Sequence, residues 1–154
     1  MTNTLRSRFG RAKAGFTLLE TIIVLVIVAI LAAAGTPMVN RAIGHSRVNN
    51  TANVIAGDLQ LAFSLASRQR TALRLTVDAS GRKYRITDRA GTVIKERRVG
   101  DLSDLHVSAI SSSVNTLDVF PNGLASGPIT IRVGTDGYSQ TITMTRAGQV
   151  RVTS

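Results

Sequence analysis

From Phe16 to Ala34 the chain is apolar almost without interruption, and the single charge inside that run is Glu20. As a helix the run extends about 28 Å at ~1.5 Å per residue, close to the ~30 Å hydrocarbon layer of a bilayer. The chain has 154 residues. That is room for one small domain plus a membrane anchor, not for two sizeable cores. A carboxylate within hydrocarbon costs roughly 2.5–3.5 kcal/mol on insertion scales, so Glu20 demands a local explanation. The leader before the run carries Arg6, Arg8, Arg11 and Lys13 and no acid. Positive flanks stay in the cytoplasm. The C-terminal part is therefore expected beyond the inner membrane, in the periplasm of a two-membrane bacterium. There are no cysteines, so an exported domain here must hold by packing alone.

Gly15-Phe16-Thr17-Leu18-Leu19-Glu20, set between basic leader and apolar run, resembles the class III signal of type IV pilins and type II secretion pseudopilins. The resemblance implies a peptidase cutting between Gly15 and Phe16 on the cytoplasmic face, and N-methylation of the new terminal Phe16. It also implies a role for Glu20 in filament assembly, with the terminal ammonium of a neighbouring subunit as its charge partner. Opposite charges in a low-dielectric place attract strongly, and either alone is costly there. Two blander readings exist. Glu20 could snorkel to the headgroups. Ala32-Ala33-Ala34 imitates the small residues of a plain secretory signal, but that reading leaves Gly15 and Glu20 unexplained.

The helical pattern continues past the apolar run. Val48, Ala52, Ile55, Leu59, Ala62 and Ala66 recur every three or four residues, with Leu61 and Leu65 widening the stripe and Arg47, Asn50, Asn53, Gln60 and Arg68 opposite. This is one face of an amphipathic helix. Gly35, Pro37, Gly44 and Gly57 interrupt it, and Pro37 should kink the helix rather than end it. The expected helix runs from Phe16 to about Arg70. The period then becomes two: Leu73, Leu75 and Val77 alternate with Arg74 and Thr76, as on a half-buried strand. Further strands are expected at Tyr84–Thr87, Val93–Arg97, Leu102–Ile110, Leu117–Phe120, Ile129–Val133, Gln140–Met144 and Val150–Val152. Turns are expected at Asp78–Gly81, Asp88–Gly91, Ser111–Ser113, Pro121–Gly123, Gly134–Gly137 and Arg146–Gly148. The pattern reads as an antiparallel meander laid over the amphipathic half of the helix, an α+β head.

From Val119 to Val152 the chain reads Val-Phe-Pro-Asn-Gly, Pro-Ile-Thr-Ile-Arg-Val and Ala-Gly-Gln-Val-Arg-Val. These stretches resemble the C-terminal half of the GspH/FimT family, which holds the H pseudopilin of type II secretion and FimT-like minor pilins. The resemblance implies a pilin-like α+β fold, a long N-terminal helix packed on an antiparallel β-sheet head. Its expected division is a cytoplasmic leader 1–15, a transmembrane half-helix 16–38, an amphipathic half-helix 39–70 and a periplasmic β-rich head 71–154. The implied partners are other pseudopilin subunits, the prepilin peptidase, an inner-membrane assembly platform and the membrane itself.

No catalytic constellation is visible. His45 and His106 stand apart from any cysteine or spaced carboxylate that would suggest a metal. Asp78, Asp88, Asp101, Asp104 and Asp136 sit in turns or loops and are too few for a calcium loop. Ser111–Ser113 have no paired base nearby, and no phosphate-cradling glycine loop is present. No enzyme activity, cofactor or metal is therefore expected. The net charge is +10, and it is local: Arg68–Arg98 holds ten basic residues and three acids. One reading is a polyanion surface, with Arg85, Lys95, Arg97, Arg146 and Arg151 as its contacts. FimT-like minor pilins bind DNA through Gly-Arg-x-Arg near the C-terminus. Here the place reads Gly148-Gln149-Val150-Arg151, without the first arginine. The other reading is a solvated strand face, with Arg74, Arg85, Lys95 and Arg97 pointing outward, or a contact with acidic partner subunits. The expected function is a minor pseudopilin of a type II secretion filament in the inner membrane, the alternative a FimT-like minor pilin binding DNA for uptake.

Overall fold

A computed structural model describes residues 15–100, 105, 107–135 and 137–154. Arg6, Arg8, Arg11, Lys13, Asp101, Asp104, His106 and Asp136 lie outside the described residues. By contacts the chain divides into one unit ending at Met38 and a second running Val39–Ser154.

Helix α1 (Leu18–Gln69) is continuous, with Pro37 inside it. Gln69 is its last residue, because Arg70 takes a left-handed φ of 52°, the conformation that ends many helices. The Thr71 hydroxyl donates to the Gln69 carbonyl at 3.1 Å, satisfying an acceptor the helix end leaves free. In the first unit the large apolar side chains from Leu18 to Leu31 are exposed, and none of the most apolar stretch is buried. That stretch is long and apolar enough to cross a membrane.

The second unit carries the core. Val48, Ala52, Ile55, Leu59, Ala62 and Ala66 are all buried, as the sequence stripe requires. Leu65 packs partly against this core. Leu61 is exposed, because two residues past Leu59 is the far side of a helix.

Eight strands pack on that stripe in two sheets, not in one meander. The first sheet has the order β3 (Val93–Arg98), β2 (Lys83–Asp88), β1 (Leu73–Asp78), β5 (Thr116–Val119). The second has the order β4 (Ala109–Ser112), β6 (Ile129–Thr135), β7 (Tyr138–Met144), β8 (Val150–Thr153). All pairings are antiparallel. The chain therefore crosses to the second sheet for β4, returns to pair β5 with β1, and crosses again. Alternation decides which side chains turn inward: Leu73, Leu75, Val77, Tyr84, Ile86, Ile129, Ile131, Val133, Ile142 and Met144 are buried.

Two local expectations change. Ser111 and Ser112 belong to β4, opposite Arg132 and Ile131; Leu105, Val107 and Ser108 lie outside strands. Gly134 and Thr135 continue β6, opposite Ser139 and Tyr138. The hairpin is tighter than the glycines suggest.

Candidate functional site

The N-terminal site begins with a cap. The backbone N–H of Glu20 donates to the Thr17 hydroxyl at 3.2 Å, and the Thr17 carbonyl accepts the Thr21 N–H at 3.1 Å. Thr17-Leu18-Leu19-Glu20 thus has the order of a capping box, which fixes where α1 starts. It also places an acid in the first turn, where the helix dipole favours negative charge. Phe16 is 81% exposed, and a side chain on Gly15 would meet nothing within 4 Å. Glu20 is exposed and has no ion-pair partner among the described residues. The apolar segment thus carries its single acid unpaired, beside an open Gly15–Phe16 bond.

The basic stretch is organised very differently from a free cationic face. Arg74 pairs with Asp118 through two bonds, 2.7 and 3.1 Å. Arg85 pairs with Glu96, directly opposite on β3, at 2.8 Å. Lys83 lies 3.9 Å from Asp78. Lys95 and Arg97 do not point outward as their alternation suggests. Both reach inward to Asp58 on α1, at 3.0 and 2.6 Å. The Tyr84 hydroxyl donates to the same carboxylate at 2.5 Å.

Asp58 is 6% exposed, a buried carboxylate held by two cations and a phenol. Burial pushes its pKa up, but the hydrogen bonds from Arg97, Tyr84 and Lys95 outweigh that and hold it below the ordinary aspartate value. Burial, and then the neighbouring Asp58 carboxylate, raise the Tyr84 pKa well above its usual range, so the phenol stays protonated. Bonding to Asp58 raises that of Arg97. The sequence holds one signal for this cluster: Asp58 stands three residues after Ile55 and four before Ala62, on the buried face. An acid there needs a cation, and the alternate cations of β3 supply two.

Of the five polyanion candidates, Arg85, Lys95 and Arg97 are thus taken by carboxylates of the same chain. Arg146 and Arg151 are exposed with no carboxylate partner among the described residues. Arg146 sits in the β7–β8 turn, where its carbonyl accepts the Ala125 N–H. Gly148 of the same turn has φ +78°, and a Cβ there would come within 2.7 Å of the Phe63 ring. The glycine of Gly-Gln-Val-Arg is therefore set by packing on α1.

The remaining side chains make local contacts. Asp78 accepts from the Gly81 N–H and Asp88 from the Thr92 N–H, each at 2.8 Å, closing their turns. His45 stacks on Tyr138 with ring centroids 4.0 Å apart. The Tyr138 hydroxyl and the Gln140 amide both donate to Asn49 at 2.9 Å. Ser113 accepts the Thr130 N–H. Among the described residues, no three metal-ligating side chains come together.

Residues 10–36 match the prokaryotic N-terminal methylation motif, and residues 51–148 match the type II transport protein GspH. No curated protein matches the chain. Among solved structures, the type IV minor pilin FimU of Pseudomonas aeruginosa aligns with a TM-score of 0.58. It is 16% identical, over 71% of this chain and 90% of that one. The minor pseudopilin EpsH of the Vibrio cholerae type 2 secretion system aligns with a TM-score of 0.55, at 13% identity over 70% and 97%. The structural alignments show a shared fold, one long helix with antiparallel sheets. The match over residues 51–148 covers most of the chain and lies C-terminal to the methylation motif; the chain belongs to the family of the type II transport protein GspH.

Proposed function

We propose that the chain is a minor pseudopilin of a type II secretion system, made as a precursor in the inner membrane and added to a periplasmic filament that drives protein export. The observation that carries this reading is Glu20, without an ion-pair partner among the described residues, in the first turn of an exposed apolar helix, four residues after Phe16. The prepilin peptidase removes residues 1–15 by cutting between Gly15 and Phe16, and Phe16 is then methylated. Residues 16–38 span the membrane once, with the N-terminus cytoplasmic. Residues 39–70 are the amphipathic half of the helix and residues 71–154 the periplasmic β-rich head. The freed ammonium of Phe16 on one subunit neutralises Glu20 on another, so that subunits join at a fixed stagger on the assembly platform. The work is assembly, with no chemistry on a substrate. Glu20→Ala is expected to leave insertion and processing intact and to lower incorporation into filaments by about tenfold or more. Normal incorporation would remove Glu20 from this role.

A second reading, a minor pilin binding DNA for uptake, is favoured only by the unpaired Arg146 and Arg151. Against it stand the engaged Arg85, Lys95 and Arg97, and Gln149 in place of an arginine. A mobility-shift series over salt separates the two. We expect no binding at low salt. Steep salt-dependent binding, abolished by Arg146→Glu with Arg151→Glu, would favour uptake instead.

A further inference from the structure

The outward faces of the two sheets differ in charge. On the first sheet Arg74, Lys83 and Arg85 each face an acid of their own chain, Asp118, Asp78 and Glu96. Among the described residues the second sheet has no such compensation. Its inward residues Ile131, Val133, Ile142 and Met144 are buried, so the residues between them face out. The strand register sets these in two rows. One runs Ser111, Arg132, Thr141, Thr153 and the other Thr130, Thr143, Arg151. No carboxylate stands in either row, and Arg132 and Arg151 have no ion-pair partner among the described residues. At the β7–β8 end a groove of about 560 Å³ is lined by Thr143, Thr145, Gln149, Val150 and Arg151. The Thr143 and Thr153 hydroxyls donate to the Arg151 and Thr141 carbonyls; the guanidinium groups only donate, and the hydroxyls of Ser111, Thr130 and Thr141 can donate as well as accept. The face therefore offers positive charge and donors, which carboxylates satisfy best.

We propose that this outward face of the second sheet is the docking surface for a carboxylate-bearing face of a different subunit of the same filament. The inference rests on the filament reading above and names the partner's chemistry. A second copy of this chain fits poorly. Outside the apolar run that holds Glu20, its described carboxylates are already spent within the subunit: Asp78, Glu96 and Asp118 face cations, Asp58 is buried, and Asp88 holds turn amides. Nucleic acid fits poorly too. Two arginines fall short of the roughly six to ten phosphate contacts of salt-sensitive binders, and neither row has an aromatic ring on which a base could stack.

The test uses the full chain in membranes where its filament assembles, with a photo-reactive amino acid at position 141. The expected result is a covalent adduct with one other filament subunit, mapped by mass spectrometry to a segment containing Asp or Glu. Arg132→Glu with Arg151→Glu should reduce that adduct about tenfold or more, while Arg89→Glu in the turn between β2 and β3 leaves it unchanged. Both reversed arginines are exposed and unpaired, so folding should hold; an unchanged Tm checks this. An adduct with a second copy, an adduct with DNA, no adduct, or an adduct indifferent to the charge reversal would each overturn the proposal. If the chain assembles and the adduct is absent, only this surface assignment fails. If the chain never enters a filament, the filament reading falls with it.

Discussion

Gly148 shows how much one missing methyl group can decide. Its φ of +78° is a left-handed conformation that costs an L-residue about 1–2 kcal/mol. An added Cβ would also press the Phe63 ring at 2.7 and 2.8 Å, and overpacking a fitted site costs about 1–3 kcal/mol. Gly148→Ala should therefore destabilise the head by about 2–5 kcal/mol in denaturant unfolding. Unchanged stability would mean that the turn is free to move off α1. In the sequence this glycine is legible as a turn and as the first letter of a motif. Its packing reason is not legible, since Phe63 lies 85 positions earlier and nothing local links the two. Glu20 is the opposite case. Its isolation in an apolar run is plain from the sequence, while its place in the Thr17 cap is a detail only geometry adds.

Among the elements, β3 is the one whose sequence misleads. It lies at an edge, with Val93 and Ile94 exposed. Its hold on the helix is the ionic cluster at Asp58 instead of an apolar face. Removing the acid leaves the buried Tyr84 hydroxyl and two part-exposed cations without their acceptor, a loss of about 1–3 kcal/mol. Asp58→Ala should lower stability on that scale and loosen β3, visible as faster amide exchange along Val93–Arg98. The pH dependence has a defined sign. The folded carboxyl has a pKa below the ordinary 3.8, so its contribution is present above that value and lost as pH falls through the lowered one. Asp58→Asn should flatten the acid limb of the stability curve below about pH 3.8; an unaltered limb would remove the cluster as its source. The buried stripe from Val48 to Ala66 is legible because its period lies within one helix. The Asp58 cluster and the exchange of β4 and β5 between sheets are not, because both depend on pairing between distant segments that strand periodicity does not encode.

At the scale of the molecule, one chain carries an apolar segment with no internal partner and a head whose charges are nearly all internally matched on one sheet and unmatched on the other. Both features point outward, to a bilayer and to other subunits, and the family match fits that direction. Gly15–Phe16 is the proposed processing site, and cleavage there would create the ammonium proposed to neutralise Glu20. The most direct measurement is the intact mass and N-terminal sequence of the protein recovered from membranes that contain the cognate peptidase. A chain beginning at methylated Phe16 is expected; one beginning near Ala34, or one that keeps its leader, would overturn the proposed processing site.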